Sequence, residues 1–317
     1  MQRSALVTGG YGFIGAHAVR ALLGAGYRVA VIDRELAGNA ATDILTGDEL
    51  SAVEHAAASM PDASQLADLM RERAVTDAIH LASPLATRTE GTPEAVIDEM
   101  IAPHRVVLDA CRLAGVRRLI WASSVGVFGR RSDYAALPIP NDAPHVPQTL
   151  YGAGKAFLEQ LTSKYSERYG LSALGLRFPL VYGPGRRRGG GQFTTELIEG
   201  VALGERVIVA NGDLVNDWLF VEDAAQSIVR AIDSDACGAV TITGHVATTR
   251  AVAGLLRLLF PEADLTIDGG AGDLVAEFDS TAALAKIGYR PETSLADGVL
   301  ATANAARARR GLPAVTG

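Results

Sequence analysis

The 317-residue chain predicts an α/β fold: a doubly wound parallel sheet with a smaller C-terminal lobe. Three observations carry this. Apolar runs of strand length recur at Ala5–Val7, Arg28–Ile32, Asp77–Leu81, Leu119–Ala122 and Ser172–Arg177. Amphipathic stretches of helical period stand among them at His17–Leu23, Ser64–Arg73, Glu94–Ala114 and Leu150–Tyr169. Strand and helix in alternation build parallel strands with helices on both faces. Gly26, Gly115 and Gly170 each follow a helix where a left-handed cap is wanted. Asp133–Pro147 is proline-rich and reads as a surface loop, and Gly183–Gly191, with three arginines, as a mobile one. Later, Asp223–Ile232, Thr249–Phe260 and Ser280–Ile287 read as helices and Ala239–Thr243 as a strand. The sheet domain is expected to take residues 1–178 with about 217–247, and the lobe 179–216 with 248–317.

Composition narrows the function. Apolar residues make up 48% of the chain, enough for a sizeable core, and the net charge is −7. Only Arg186-Arg187-Arg188 forms a basic cluster, so no nucleic-acid footprint is expected. Two cysteines, Cys111 and Cys237, make no disulfide framework, and no metal-ligand spacing is found. Met1 leads almost directly into an apolar run and no run is long enough to span a membrane, so a cytoplasmic protein is expected.

Gly9, Gly12 and Gly15 stand between the first strand and first helix, in Thr8-Gly9-Gly10-Tyr11-Gly12-Phe13-Ile14-Gly15. Glycines there permit a tight turn and let backbone N–H groups approach a pyrophosphate, to which the helix N-terminus adds partial positive charge. Asp33 ends the second strand, where a carboxylate holds the adenosine ribose and favours NAD over NADP. Arg34 follows and tolerates a 2′-phosphate, so NADP stays open.

Tyr151-Gly152-Ala153-Gly154-Lys155 places a phenol and an ammonium on one helix face. A nearby cation favours the phenolate and brings tyrosine toward acid/base work. Gly152 and Gly154 each cost a helix roughly 1 kcal/mol, so something approaches that face closely. Ser124, at the carboxyl end of a strand, is a candidate to orient a substrate oxygen. No nucleophile-elbow glycines surround it, which excludes a hydrolase of that type.

With these residues in place the chain resembles the extended short-chain dehydrogenase/reductases, the NAD-dependent epimerase/dehydratase family. The resemblance adds His80-Leu81-Ala82-Ser83, Ser123–Gly129, Tyr182-Gly183-Pro184, Phe220–Asp223 and Gly288-Tyr289-Arg290-Pro291. It implies a Rossmann domain with a substrate lobe, and a homodimer built on the helices around 94–114 and 150–169. It implies Tyr151 as acid/base, Lys155 lowering its pKa and holding the nicotinamide ribose, and Ser124 orienting the reacting oxygen. Cofactor contacts are expected from Gly9, Gly12, Phe13, Ile14, Asp33, Arg34, Ser59, Met60, Leu81, Ala82, Ser83, Ala122, Ser123 and Pro179, besides Tyr151 and Lys155. Substrate contacts are expected from Ser83, Ser124, Val125, Tyr151, Leu180, Arg186, Gln192 and Asn216.

The chain departs from the family pattern in four places. Ser59 stands where many members hold the adenine with Asp, and Met100 where many have Asn. Leu180 and Asn216 replace an Asn and an Arg that grip a nucleotide diphosphate, each such contact being worth roughly 1.5–3 kcal/mol. Val125 and Gly126 stand where dehydratases and decarboxylases carry an added acid. The reading that follows is an NAD-dependent oxidoreductase acting on a hydroxyl or carbonyl of a small sugar-like or hydroxy-acid substrate. The alternatives are a UDP-hexose-type 4-epimerase with tightly held NAD, and a non-catalytic dinucleotide sensor.

Overall fold

The computed structural model describes residues 3–34, 40–57, 59–187 and 191–316. Its strands are β1 (Ser4–Thr8), β2 (Arg28–Ile32), β3 (Val53–Ala57), β4 (Asp77–His80), β5 (Arg118–Ser124), β6 (Ala173–Phe178), β7 (Leu180–Tyr182), β8 (Val207–Val209), β9 (Val215–Phe220), β10 (Gly238–Thr241), β11 (His245–Thr248) and β12 (Leu265–Ile267). Seven of them form one sheet in the order β10-β6-β5-β4-β1-β2-β3, with every pairing parallel. The strand order reverses between β1 and β4, so a crevice opens at their carboxyl ends. The predicted doubly wound α/β sheet is therefore present.

Both faces of the sheet are covered, as alternation along each strand requires. Ala5, Val7, Val31, Ile79, Ile120 and Leu176 point to one core, shared with helices Phe13–Gly24 and Val221–Ile232. Leu6, Ala30, Ala78, Leu119 and Trp121 point to the other, shared with helices Ala63–Glu72 and Ala102–Ala114. A third core gathers Tyr182, Leu197, Trp218, Leu256 and Val299 among helices Gln192–Ala202, Thr249–Leu259 and Leu295–Arg309. The strands β11, β9 and β7 form a separate small sheet beside it, and β12 pairs with β8. The helix Val221–Ile232 and β10 return to the large sheet, whereas β9 pairs with β7 and β11.

The sequence predicts one helix over 94–114. The structure instead has a π-helical turn, Val96–Ile101, leading into the α-helix Ala102–Ala114. Pro103 explains the break: it has no N–H for the ladder and its ring crowds the preceding turn. No helix among the described residues is long and apolar enough to cross a membrane.

Ile120 lies fully buried at the centre of β5. Ile120→Ala is expected to destabilise the protein by about 2–5 kcal/mol, read from the urea midpoint. Unchanged stability would contradict this packing.

Candidate active site

The site is built where strands stop and helices begin. After β1 the chain turns through Gly9, at φ +74°, into the helix that starts at Phe13. A Cβ on Gly15 would lie 2.0 Å from the Gly9 carbonyl, and one on Gly9 2.8 Å from the Ala82 nitrogen. Only bare backbone fits, so loop, helix and the segment after β4 interlock. Gly12 caps this helix with no side chain, which leaves first-turn N–H groups for a ligand. Asp33 follows β2, and its carboxylate accepts from the Tyr11 N–H of the loop at 2.9 Å and from Arg34 N–H at 2.8 Å. A dinucleotide's pyrophosphate and ribose fit this cradle and this acid.

Phe13 and Ile14 pack partly buried on the sheet core, and Arg34 is exposed. Ser59, just past β3, is exposed, and Met60 packs against the second core. Ala82 and Ser83 follow β4 at the same edge, and the Ser83 hydroxyl faces the Tyr151 phenol. Pro179 and Leu180 lie half-buried between β6 and the small sheet. Val125 packs on a small cluster around Val127 and Phe128. Gln192 is exposed and donates to Glu196 at 3.1 Å. It shares a cleft of about 360 Å³ with Arg186, Arg187 and Thr195. Asn216 on β9 has its side-chain nitrogen buried without a partner among the described residues. Arg188 of the arginine cluster lies outside the described residues.

Tyr151 and Lys155 share a face of the helix Leu150–Tyr169, which Thr149 caps through Gly152 N–H at 3.0 Å. The two glycines between them have separate causes. A Cβ on Gly152 would lie 2.0 Å from the Gly126 carbonyl, and one on Gly154 2.7 Å from Met100 Sδ. The first contact seats the helix on the turn that carries Ser124. The second seats it on the π-helical turn. Thus protein neighbours, not a ligand, require both glycines. Ser124 caps its turn, its Oγ accepting from Gly126 N–H at 3.0 Å, and its hydroxyl faces the phenol.

The electrostatics differ from the sequence expectation in one respect. Burial pushes the Tyr151 phenol up to about 12. The Ser124 hydroxyl, Arg186 and the Ser83 hydroxyl oppose that rise, and Lys155 is not among the opposing groups. Lys155 Nζ instead donates to the Ala122 carbonyl at 2.8 Å and stands 5.5 Å from the phenol ring centre. Burial pushes this ammonium down to about 7, and Glu159 opposes it.

Glu159 was not singled out by motif, although it follows Lys155 by four residues and so shares its face. It is buried and receives Arg177 at 2.8 and 2.7 Å through both carboxylate oxygens. Ser123 Oγ donates to it at 2.6 Å. Arg177 also donates to the Asn141 carbonyl at 2.6 Å and meets His145 at 3.1 Å. His80 is fixed by Thr8 Oγ1 at 2.6 Å, and His104 by Thr162 Oγ1 at 2.9 Å. No group of residues suited to hold a metal occurs among the described residues.

Glycine cradle, acidic strand end and a Ser/Tyr/Lys cluster at the carboxyl edge define a dinucleotide-binding α/β protein of the short-chain dehydrogenase class. A model of the NAD dependent epimerase/dehydratase family matches residues 5–242, and the chain belongs to that family. It is 30% identical over 244 residues to UDP-glucuronate 4-epimerase 1 of Arabidopsis thaliana, covering 73% of this chain and 55% of the relative. The chain thus spans about half the length of that relative. It is 29% identical over 310 residues to UDP-glucose 4-epimerase of Mycolicibacterium smegmatis, covering 94% of this chain and 96% of the relative. Among solved structures, the UDP-glucose 4-epimerase of Thermus thermophilus in complex with NAD is similar at 27% identity. Its TM-score is 0.81, with 96% of this chain and 99% of that chain covered. The UDP-glucose 4-epimerase of Thermotoga maritima with UDP-glucose gives 25% identity and a TM-score of 0.84, with 97% and 99% covered.

Burial holds three histidines neutral: His17 near 4, His80 near 3 and His104 well below the usual range. Below pH 6.5 the unfolded chain binds protons on them that the folded chain refuses. Stability is therefore expected to fall as pH drops from 6.5 to 5, by about 1.4 kcal/mol per pH unit for each histidine. Urea midpoints across that window test it, and a flat profile would contradict neutral burial.

Proposed function

We propose that this protein uses NAD to transfer hydride at a hydroxyl or carbonyl of a sugar-like substrate. The observation that carries this reading is the meeting of Ser124, Tyr151 and Lys155 at the edge of the sheet that also holds the glycine cradle. NAD, when bound, supplies a hydride acceptor. Gly9 and Gly12, with the first-turn N–H groups of Phe13 and Ile14, hold its pyrophosphate, and Asp33 holds its ribose in preference to a 2′-phosphate. Leu81, Ala82, Ser83, Ala122 and Pro179 line the remaining length, with Ser59 and Met60 at the adenine end.

The Tyr151 phenol gives its Oη proton to a carbonyl oxygen that Ser124 holds as hydride is delivered, and as phenolate it takes the hydroxyl proton in the reverse direction. Lys155 fixes the Ala122 carbonyl and presents its charge to the tyrosine side of the site. Val125, Leu180, Gln192 and Asn216, with Arg186, form the substrate side. Residues 1–178 with about 217–247 carry the cofactor, and 179–216 with 248–317 carry the substrate.

Epimerisation of a UDP-hexose is the second reading. The similarity to UDP-sugar 4-epimerases over nearly the full chain favours it. Leu180 and Asn216, without the acid amide and cation that grip a diphosphate, favour a substrate lacking one. A homodimer is part of the proposal: Ile97, Leu113, Phe157 and Tyr169 are large, apolar and exposed on the helical segments 96–114 and 150–169.

The purified protein is expected to interconvert UDP-glucose and UDP-galactose without net NADH if it is an epimerase. It is expected to generate NADH from a sugar, sugar acid or polyol if it is a net oxidoreductase. Tyr151→Phe is expected to lower either rate by about 10²–10⁴-fold. Full activity of Tyr151→Phe would sink the acid/base assignment.

A further inference from the structure

One buried polar cluster plays no part in the proposed reaction. Glu159 leaves the helix Leu150–Tyr169 four residues after Lys155, and so from the same face. Its carboxylate meets the ends of two neighbouring strands. Oε1 accepts from Ser123 Oγ of β5 at 2.6 Å and from Arg177 Nε of β6 at 2.8 Å. Oε2 accepts from a terminal nitrogen of Arg177 at 2.7 Å. Ser123 and Arg177 are register partners, so both side chains stand on one face of the sheet.

Lys155 ends one residue away. Its Nζ donates to the Ala122 carbonyl at 2.8 Å, and Ala122 precedes Ser123 in β5. Ammonium and carboxylate therefore start four residues apart on one helix and finish on consecutive residues of one strand. Both are buried, and the carboxylate serves two buried cations, Lys155 and Arg177. His145 adds no third charge. Arg177 can only donate, so His145 Nε2, 3.1 Å from it, accepts and the ring is neutral. The far side of Arg177 is tied as well. It donates to the Asn141 carbonyl at 2.6 Å. The Asn141 side chain accepts from Thr241 N–H at 2.8 Å and donates to the Ala239 carbonyl at 3.1 Å, both in β10. The cluster thus joins β5, β6 and β10 to the helix of Tyr151.

We propose that Glu159 is a positioning residue for Lys155: its carboxylate pins Ser123 and holds the charged ammonium on the Ala122 carbonyl, beside Tyr151. The inference rests on the reading of Lys155 as part of the catalytic cluster. Burial pushes this ammonium down to about 7, and Glu159 is the group that opposes the fall. The other titratable groups around it give no help. His80 on β4 and His104 on the helix Ala102–Ala114 are held neutral by burial. The Tyr151 phenol, with its ring centre 5.5 Å from Nζ, is pushed up to about 12 and is uncharged at neutral pH. A lysine that loses its proton has no charge with which to favour the phenolate.

The test reads Lys155 directly. The chain has three lysines, and Lys164 and Lys286 are exposed. Carbon-13 at the lysine ε-carbons therefore gives three NMR signals, and Lys155→Met identifies the one to follow. In the purified protein, Glu159→Gln is expected to lower the Lys155 midpoint by about one pH unit or more. Glu159→Asp keeps the charge but draws it back by one methylene, and is expected to lower the midpoint by less. A cluster that merely packed the helix would behave oppositely. Its loosening would admit water and raise the midpoint toward the ordinary ~10.4 of lysine. An unchanged or raised midpoint in folded Glu159→Gln overturns the inference. If circular dichroism shows that the glutamine form does not fold, the same outcome in Glu159→Asp overturns it. Turnover of Lys155→Met, assayed on UDP-glucose and on a panel of sugars, sugar acids and polyols, keeps the two readings apart. If it stays fully active, the catalytic reading of Lys155 falls. If it is dead while the midpoint ignores Glu159, only the present inference falls.

Discussion

The site depends on bare backbone meeting bare backbone at two helix starts. Gly15 sits on the Gly9 carbonyl and Gly152 on the Gly126 carbonyl, and in each case a Cβ would fall 2.0 Å from the oxygen. The first contact sets the cofactor helix against the end of β1. The second sets the helix of Tyr151 and Lys155 against the turn of Ser124. Side chains at either place would push a helix away from the strand edge and separate the groups proposed to act together. Steric exclusion, more than any single bond, brings the cradle and the catalytic cluster to one crevice.

That closeness has an electrostatic cost. It buries Lys155 and Arg177 near the sheet edge, with Glu159 as the carboxylate that pairs with Arg177 and supports Lys155. Removing one partner of such a pair leaves an uncompensated charge, which is far more costly than replacing both. The neighbouring histidines avoid the same penalty by staying neutral. His80 and His104 are joined to threonine hydroxyls and lie under Lys155, whose charge further disfavours theirs.

Local signals were legible in the sequence, and signals that cross the fold were not. The glycine cradle, Asp33, Ser124 and the Tyr151/Lys155 pair are set by short spacings, and the helix Leu150–Tyr169 falls where its period puts it. The edge strand β3 was missed because Glu54 and His55 are exposed there and no apolar run results. The strand β9, with Asn216 and Asp217 inside it, mixes polar and aromatic residues because its two faces serve different cores. The π-helical turn before Pro103 is hidden in an unbroken amphipathic pattern. Arg177 stands at the end of a predicted strand, and its pairing with Glu159 on a helix is not visible in that pattern. The placement of Arg186 over Phe13 joins distant stretches of chain, and no local pattern encodes it. The close approach expected at the glycines beside Tyr151 comes from Gly126 and Met100, which lie far apart from them in the chain.

The central claim is that the glycine cradle and the Ser/Tyr/Lys cluster form one dinucleotide site. A crystal structure of the protein with NAD tests it most directly. The account predicts pyrophosphate oxygens on the first-turn N–H groups of Phe13 and Ile14, ribose hydroxyls on Asp33, and the nicotinamide ribose within hydrogen-bond reach of Tyr151 and Lys155. A dinucleotide bound elsewhere, or one whose nicotinamide end points away from Tyr151, would contradict it.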